Sequence, residues 1–320
     1  MSKPKILIIG ANGQLGTELS AALAERYGAE CIVTSDINAQ GRHAHLVHEV
    51  LDVTDLDQLQ KLVEQHGVTQ IYHLAATLSA VGEKKPKWAW QLNMTGLLNV
   101  LEVAASAGLD KLFWPSSIAA FGPTTPADGT HQRTVMEPKT VYGVSKLAGE
   151  GWCRWYFENK GVDVRSLRYP GLISYKTLPG GGTTDYAIDI FHYALRRQTY
   201  TCFLERDEAL PMMYMPDAVR ATIELMEAPR ERISERGSYN LAGFSFTPAE
   251  IAAEIRQRLP GFEIAYKPDF RQKIAEGWPN SIDDSLARVD WDWRPRYDLA
   301  AMTDDMLANL AGHVDLVGAA

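Results

Sequence analysis

Cysteine is scarce in this chain. Cys31, Cys153 and Cys202 are the only three in 320 residues, far apart and with no Cys-x-x-Cys pair. An odd, scattered set builds no disulfide framework and supplies no thiolate cluster for a zinc site. Nor is there an apolar run approaching the ~20 residues that cross a bilayer, and the apolar stretch ending before Gly10 is too short for the core of a secretory signal. Excess positive charge is missing as well. Forty acidic residues against 32 basic ones leave a formal net charge of −8, which argues against a polyanionic partner such as nucleic acid. Low-complexity tracts and internal repeats are absent. What remains is an ordinary globular composition, 46% hydrophobic and 22% charged, sufficient for one large domain or two coupled ones. The expectation is a soluble, cytoplasmic protein that engages no membrane.

The amino-terminal third is the most informative. Residues 5–9 form a short apolar strand of the kind buried on both faces of a parallel sheet. The chain then runs through Gly10-Ala11-Asn12-Gly13-Gln14-Leu15-Gly16 into a helical pattern carried by Leu19, Leu23 and Tyr27, and a second apolar strand at 31–34 ends in Ser35-Asp36. The glycines permit a tight turn and let a pyrophosphate approach a helix amino terminus. Asp36 lies 20 residues past Gly16, where a carboxylate binds the two hydroxyls of an adenosine ribose and repels a 2′-phosphate. The cofactor expected is NAD rather than NADP.

Strand and helix keep alternating. Strands are expected at 47–51, 70–74, 111–115 and 162–167, with helices at 54–63, 86–107 and from 141 onward. Thr54 and Asp57 are spaced as a capping box, and the small Ala75 and Ala76 after Leu74 leave room for a cofactor. Six strands joined by five crossovers before residue 168 predict an α/β fold, a doubly wound parallel sheet of Rossmann type.

Past Arg168 the texture changes. Tyr169-Pro170-Gly171-Leu172-Ile173 leaves the sheet, Leu178-Pro179-Gly180-Gly181-Gly182 reads as a mobile loop, and Thr183-Thr184-Asp185 suits the cap of a helix reaching about Arg197. Strands follow near Tyr200, Met212 and Tyr239, with a helix over 217–226, a strong helix start at Thr247-Pro248-Ala249-Glu250 and a closing helix from Asp298. The expected division is a dinucleotide domain over residues 1–170, rejoined by about 212–242, with 171–211 and 243–320 forming a smaller substrate-binding lobe. Met212, Met213 and Met215 read as core of a short strand, Trp88 and Trp90 as packing on the long helix. His43, His45 and His48 read as a solvated loop rather than a metal site.

If residues from 141 are helical, Tyr142 and Lys146 lie one turn apart on one face. A phenol ordinarily ionises near pH ~10, and an adjacent ammonium favours the phenolate, which moves the base toward neutrality. Such a spacing also arises by chance on a surface helix, so its meaning depends on the dinucleotide fold before it.

The ordered set Gly10-x-x-Gly13-x-x-Gly16, Asp36, Asp52-Val53, Asn93, Ser116-Ser117 and Tyr142-x-x-x-Lys146 resembles the extended short-chain dehydrogenase/reductase superfamily. Four stretches narrow the likeness: Thr77-Leu78-Ser79-Ala80, the run from Pro115 to Pro123, the run from Gly180 to Ala187, and the run from Leu210 to Asp217. Together they resemble the short-chain, metal-free type of L-threonine 3-dehydrogenase. The resemblance implies NAD held by Gly10, Gly13, Gln14, Leu15, Gly16, Asp36, Asp52, Val53, Leu74, Ala75, Ala76, Asn93, Lys146 and Tyr169. It implies Tyr142 as the base, Lys146 on the nicotinamide ribose and, with the positive nicotinamide ring, lowering the tyrosine's pKa, and Ser117 bonding the reacting oxygen. For the substrate, L-threonine, it implies Ser79, Thr183 and Thr184 at the carboxylate, Asp185 at the ammonium and Trp278 as apolar wall and lid. Read without it, residues 183–185 favour a plain helix cap and Trp278 beside Pro279 a packing role. The resemblance further implies a homodimer joined through a four-helix interface. Asn12 departs from the pattern, because the threonine dehydrogenases often carry cysteine there.

Two other readings share many of these residues. A nucleotide-sugar epimerase or dehydratase uses the same tyrosine and lysine but recycles its NAD. It needs a nucleoside-diphosphate site in the carboxyl-terminal lobe, which shows no obvious basic cluster, although Lys176, Arg196 and Arg197 could be recruited. A non-catalytic NAD-sensing regulator usually has a damaged tyrosine–lysine pair, and here the pair is intact.

Overall fold

The computed structural model describes residues 3–77, 79–177 and 180–312; Leu78, Leu178 and Pro179, which fall in stretches singled out above, lie outside the described residues. Strand β1 (Ile6–Ile9) leads through the glycine turn into helix α1 (Gln14–Tyr27), and β2 (Ile32–Asp36) ends on the acidic residue. Then come β3 (Val47–Val50), α2 (Leu56–His66), β4 (Gln70–His73), α3 (Ser79–Lys84), α4 (Pro86–Trp90), α5 (Gly96–Ser106), β5 (Lys111–Ser117), α6 (Val141–Lys160) and β6 (Val164–Tyr169). The second half holds β7 (Gly171–Ile173), α7 (Tyr186–Leu195), β8 (Tyr200–Cys202), β9 (Leu210–Tyr214), α8 (Met215–Glu227), β10 (Tyr239–Asn240), β11 (Phe244–Phe246), α9 (Pro248–Arg258), β12 (Ile264–Tyr266), α10 (Phe270–Ala275), α11 (Ser285–Trp291) and α12 (Leu299–Leu310).

The main sheet has seven strands in the order β10-β6-β5-β4-β1-β2-β3, all parallel. Its strand order reverses between β1 and β4, and the crevice beyond their carboxyl ends is where such sheets bind ligands. Period-two alternation fills both faces. Ile6 and Ile8 pack with Leu19 and Leu23 of α1 and Ala218, Ala221 and Leu225 of α8; Leu7 and Ile9 pack with Leu59, Leu97, Leu101 and Cys153 on the other face. A separate core of Tyr186, Phe191, Phe246, Ile251, Met302 and Met306 builds the smaller lobe around the β11-β9-β7 sheet. Among the described residues no helix is long and apolar enough to cross a membrane.

Several local expectations need correction. The cap of α2 is Asp55, whose carboxylate accepts from the Gln58 N–H at 3.0 Å; the Thr54 hydroxyl is already engaged by Asp52 at 2.7 Å. The expected helix over 86–107 is divided by a π segment at Gln91–Thr95. Trp88 and Trp90 do not pack inward: they are 49% and 43% exposed, because Ala89, Asn93 and Met94 take the inward face. Of the stretch 212–242, residues 212–214 belong to β9, which pairs with β7 and β11 rather than with the large sheet, whereas α8 and β10 lie on it. Trp291 and Trp293, placed by sequence in the second lobe, join the core that holds β1 and α1. Of the three histidines read as a solvated loop, His48 lies in β3 and meets Thr34 Oγ1 at 3.0 Å and the Asn38 carbonyl at 2.9 Å, His43 bonds the Thr17 carbonyl at 2.8 Å, and His45 is exposed.

Candidate active site

The glycine turn makes a cradle that side chains cannot enter. Gly10 has φ of +81°, and a Cβ there would sit 2.6 Å from the Ala75 nitrogen; at Gly16 it would sit 2.5 Å from the Gly10 carbonyl oxygen. The turn can therefore lie flat against the β4 exit, with Gly13 at the amino terminus of α1. Gly10, Gly13, Gln14, Leu15, Gly16, Leu74, Ala76 and Tyr169 line a cavity of about 340 Å³. A second cavity adjoins it, lined by Asn12, Gly13, Asp36, Asn38, Gln40, Gly41 and Arg42. Asp36 is held there by Asn38, through its N–H at 3.1 Å and Nδ2 at 2.8 Å, and by the Asn12 N–H at 3.3 Å. A bare glycine cradle, a helix amino terminus and a carboxylate at a strand end fit the pyrophosphate and adenosine ribose of NAD.

Asp52, Val53 and Asn93, expected at the cofactor, line neither cavity. Asp52 braces Thr54, and Val53 lies buried under Gly96, where a Cβ would meet its side chain at 2.8 Å. Asn93 is buried with both ends of its amide occupied: Oδ1 accepts from the Thr77 N–H at 2.9 Å and Nδ2 donates to Ser145 Oγ at 3.1 Å. Its part is to tie the β4 exit to α6. Ala75 forms the floor under Gly10 rather than the cavity lining. Asn38, Gln40 and Arg42 were missed by sequence reasoning, because loop residues following a strand-end acid follow no repeating pattern.

The second half of the 340 Å³ cavity is made by β5 and α6. Thr140 caps α6, its hydroxyl accepting from the Gly143 N–H at 3.0 Å. Glycines let the helix lie close: a Cβ on Gly143 would come within 2.1 Å of the Ala119 carbonyl oxygen, and one on Gly149 within 2.4 Å of the Trp114 ring. Tyr142 and Lys146 thus face the end of β5. Lys146 is buried; its Nζ donates to the Pro115 carbonyl at 2.6 Å and lies 4.6 Å over the Trp114 ring and 5.4 Å from the Tyr142 ring centre. Ser117 Oγ accepts from the Ala119 N–H at 3.2 Å, and the residue lines the same cavity as Tyr142.

Burial dominates the electrostatics of the pair. Burial pushes the Tyr142 phenol up to about 12, with the Ser117 hydroxyl only partly opposing it. Burial pulls the Lys146 ammonium down to about 7. Desolvation outweighs the mutual effect of the pair.

The other end of the same cavity carries several polar side chains. Ser79 Oγ and Thr183 Oγ1 stand 3.3 Å apart, both buried, and Thr184 crosses close over Gly171. Asp185 does not cap α7 with its side chain. Its carboxylate turns back to accept from the Gly181 and Gly182 N–H groups at 2.7 and 2.6 Å. Burial pushes the Asp185 carboxyl up, against these two amides, and burial together with Asp185 pushes Asp189, one turn on, up to about 6. Trp278, just after α10, supplies an apolar wall. Ser79, Ser117, Tyr142, Lys146, Thr183, Thr184, Asp185 and Trp278 therefore line one cavity.

Comparison with known proteins follows this geometry. The family model described as NAD dependent epimerase/dehydratase family matches residues 6–242. An uncharacterized epimerase/dehydratase of Staphylococcus haemolyticus is 47% identical over 307 residues, covering 95% of this chain and 96% of the relative. Among solved structures, a partial consensus L-threonine 3-dehydrogenase is 70% identical with a TM-score of 0.95, over 97% of this chain and all of that one. The holo form of a GalE-like L-threonine dehydrogenase from Cupriavidus necator is 69% identical, also at 0.95, over 96% of this chain and 100% of that one.

Proposed function

The chain belongs to the NAD dependent epimerase/dehydratase family, and we propose that within it this enzyme oxidises L-threonine at its hydroxyl carbon to 2-amino-3-oxobutyrate. One observation carries the reading: Tyr142 and Lys146 share a single cavity with the hydroxyls of Ser79, Thr183 and Thr184 and the buried carboxylate of Asp185. The likeness to L-threonine dehydrogenase structures supports it.

NAD is the cofactor; when bound it supplies the hydride acceptor, which no side chain provides, and a positively charged ring. The chain's own residues do the rest. Gly10, Gly13 and Gly16 make room for the pyrophosphate, Asp36 takes the adenosine ribose and Lys146 the second ribose. Tyr142 accepts the proton of the substrate hydroxyl, and Ser117 holds the reacting oxygen against it. Ser79, Thr183 and Thr184 donate to the carboxylate. Asp185 accepts from the ammonium while its glycine amides hold it in place, and Trp278 covers the methyl. Burial makes each of these hydrogen bonds count for more than in water. With the phenol pushed up to about 12, little phenolate is present near neutral pH, so positive charge nearby favours turnover by stabilising it.

The assay is NADH formation from NAD and L-threonine. Tyr142→Phe is expected to lower kcat by about 10²–10⁴-fold, the usual worth of positioned proton transfer, with NADH affinity retained. NAD-loaded protein that makes no NADH from any 3-hydroxy amino acid, yet is thermally stabilised by a UDP-sugar, would falsify this reading in favour of nucleotide-sugar epimerase or dehydratase chemistry. We also propose a homodimer, supported by the exposed apolar face of α4 and α6.

A further inference from the structure

Glu150 is a buried carboxylate outside the list of groups that the chemistry uses. It lies on α6 one turn beyond Lys146 and two turns beyond Tyr142, and is 4% exposed. Arg168 of β6, equally buried, grips it with two hydrogen bonds, Nε to Oε1 at 2.8 Å and Nη2 to Oε2 at 2.7 Å. Ser116 Oγ donates to the same Oε1 at 2.7 Å. Ser116 sits directly before Ser117 on β5, and β6 pairs with that strand in a register that sets Arg168 opposite Ser116. The remaining Arg168 donors reach Asn240 Oδ1 of β10 at 2.9 Å and the Gln132 carbonyl at 3.0 Å. Asn240 in turn donates to the carbonyls of Thr130 and Asp283. One buried network therefore joins the helix of the catalytic pair to the strand that presents Ser117.

A buried ion pair is weak evidence for stability by itself, since apolar residues of similar volume often do as well. Its position says more. We propose that Glu150 is a positioning residue for the alcohol-oxidising pair: through Ser116 and Arg168 it fixes the Ser117 strand end against α6, and it supplies the negative charge that holds Lys146 as an ammonium. This rests on the assignment of Tyr142, Lys146 and Ser117 given above. Around Lys146, α6 offers Tyr142, the protonated Cys153 thiol and Glu150, β4 offers the neutral His73, and β5 offers the Pro115 carbonyl and the Trp114 ring. Glu150 is the one carboxylate in that set, and it opposes the burial that draws Lys146 down to about 7. Arg168 reaches the site only through Glu150.

The test compares kcat against pH, NADH binding by fluorescence and melting temperature for wild type, Glu150→Gln, Glu150→Asp and the double variant Glu150→Gln/Arg168→Gln. In Glu150→Gln the alkaline limb of kcat is expected to move down by about one pH unit, because removing a nearby opposite charge lets the ammonium lose its proton sooner. Misplacement of Ser117 is expected to cut kcat by about tenfold or more while NADH still binds. Glu150→Asp should keep the limb near its wild-type pH, with lower kcat, because a shorter carboxylate cannot reach Ser116 and Arg168 together. The double variant removes both buried charges, so it reads the loss of kcat if Glu150→Gln alone fails to fold, and its limb should move less than in Glu150→Gln because the arginine's positive charge is gone as well. A limb that stays in place in Glu150→Gln, or wild-type kcat in the double variant, overturns the proposal. Normal turnover by Tyr142→Phe overturns the base assignment instead, so the two failures are distinct.

Discussion

At the scale of single residues, burial decides more than neighbouring charge. Tyr142 and Lys146 were legible as a pair once the dinucleotide fold was read before them, but their ionisation was not, because desolvation depends on what packs around them. His73 shows the same effect without a catalytic role. It is buried at the end of β4, its Nδ1 has no partner among the described residues, and burial first, then Lys146, draws its pKa down to about 3. Between about pH 6.5 and pH 3 the unfolded chain binds a proton on this imidazole that the folded chain refuses. Stability from this group is therefore lost as pH falls through that window. His73→Leu should flatten the fall in melting temperature between pH 6.5 and 4 relative to wild type; parallel curves would mean that the imidazole is protonated in the fold. Asp185 carries the same lesson. Its residue type suited both a helix cap and an ammonium site, and only the structure turns its carboxylate onto Gly181 and Gly182.

Among elements, the ones with strong local chemistry formed where the pattern put them. Thr247 and Glu250 make both halves of the capping box at α9, with Pro248 in the first turn. Thr54 did not cap α2, because Asp52, two residues earlier, competes for its hydroxyl. The π segment in the Asn93 region carried no sequence signal, and it is there that Asn93 ties Thr77 to Ser145. Close packing of elements depends on the glycines at contact points. Gly16→Ala would set a Cβ against the backbone of Gly10 and Ala11, at 2.5 and 2.8 Å, so α1 must move. The expected result is a loss of about 1–3 kcal/mol of stability, as for other overpacked positions, with weakened NADH binding. Titration of NADH fluorescence and urea unfolding check both, and unchanged NADH affinity would show that the cradle tolerates the shift.

For the whole molecule, the outer faces of α4 and α6 leave an apolar surface unpaired. Trp88, Trp90, Val144, Trp152 and Trp155 are each between 39% and 49% exposed, a concentration of large apolar groups that usually marks an interface. Light scattering coupled to size-exclusion chromatography should give twice the mass of 35.5 kDa for wild type, and Trp155→Glu should shift it toward one chain. A wild-type mass of one chain would rule out the proposed pairing. A doubly wound parallel sheet, which β10 joins as a seventh strand, followed from the alternation of six strands with their crossovers. Where the second half divides did not, since β9 and α8 are adjacent in sequence yet serve different sheets.

The sequence by itself determined the doubly wound sheet, the glycine cradle with Asp36, and the tyrosine–lysine pair on one helix face. These are set by local periodicity and by backbone conformations that only glycine permits. The tertiary structure decided which charges are desolvated, which polar groups are spent on holding others, and how Ser79 and Thr183, 104 residues apart, come to share a wall. Those outcomes depend on packing between distant segments, and a pattern within one segment carries no record of what will lie against it.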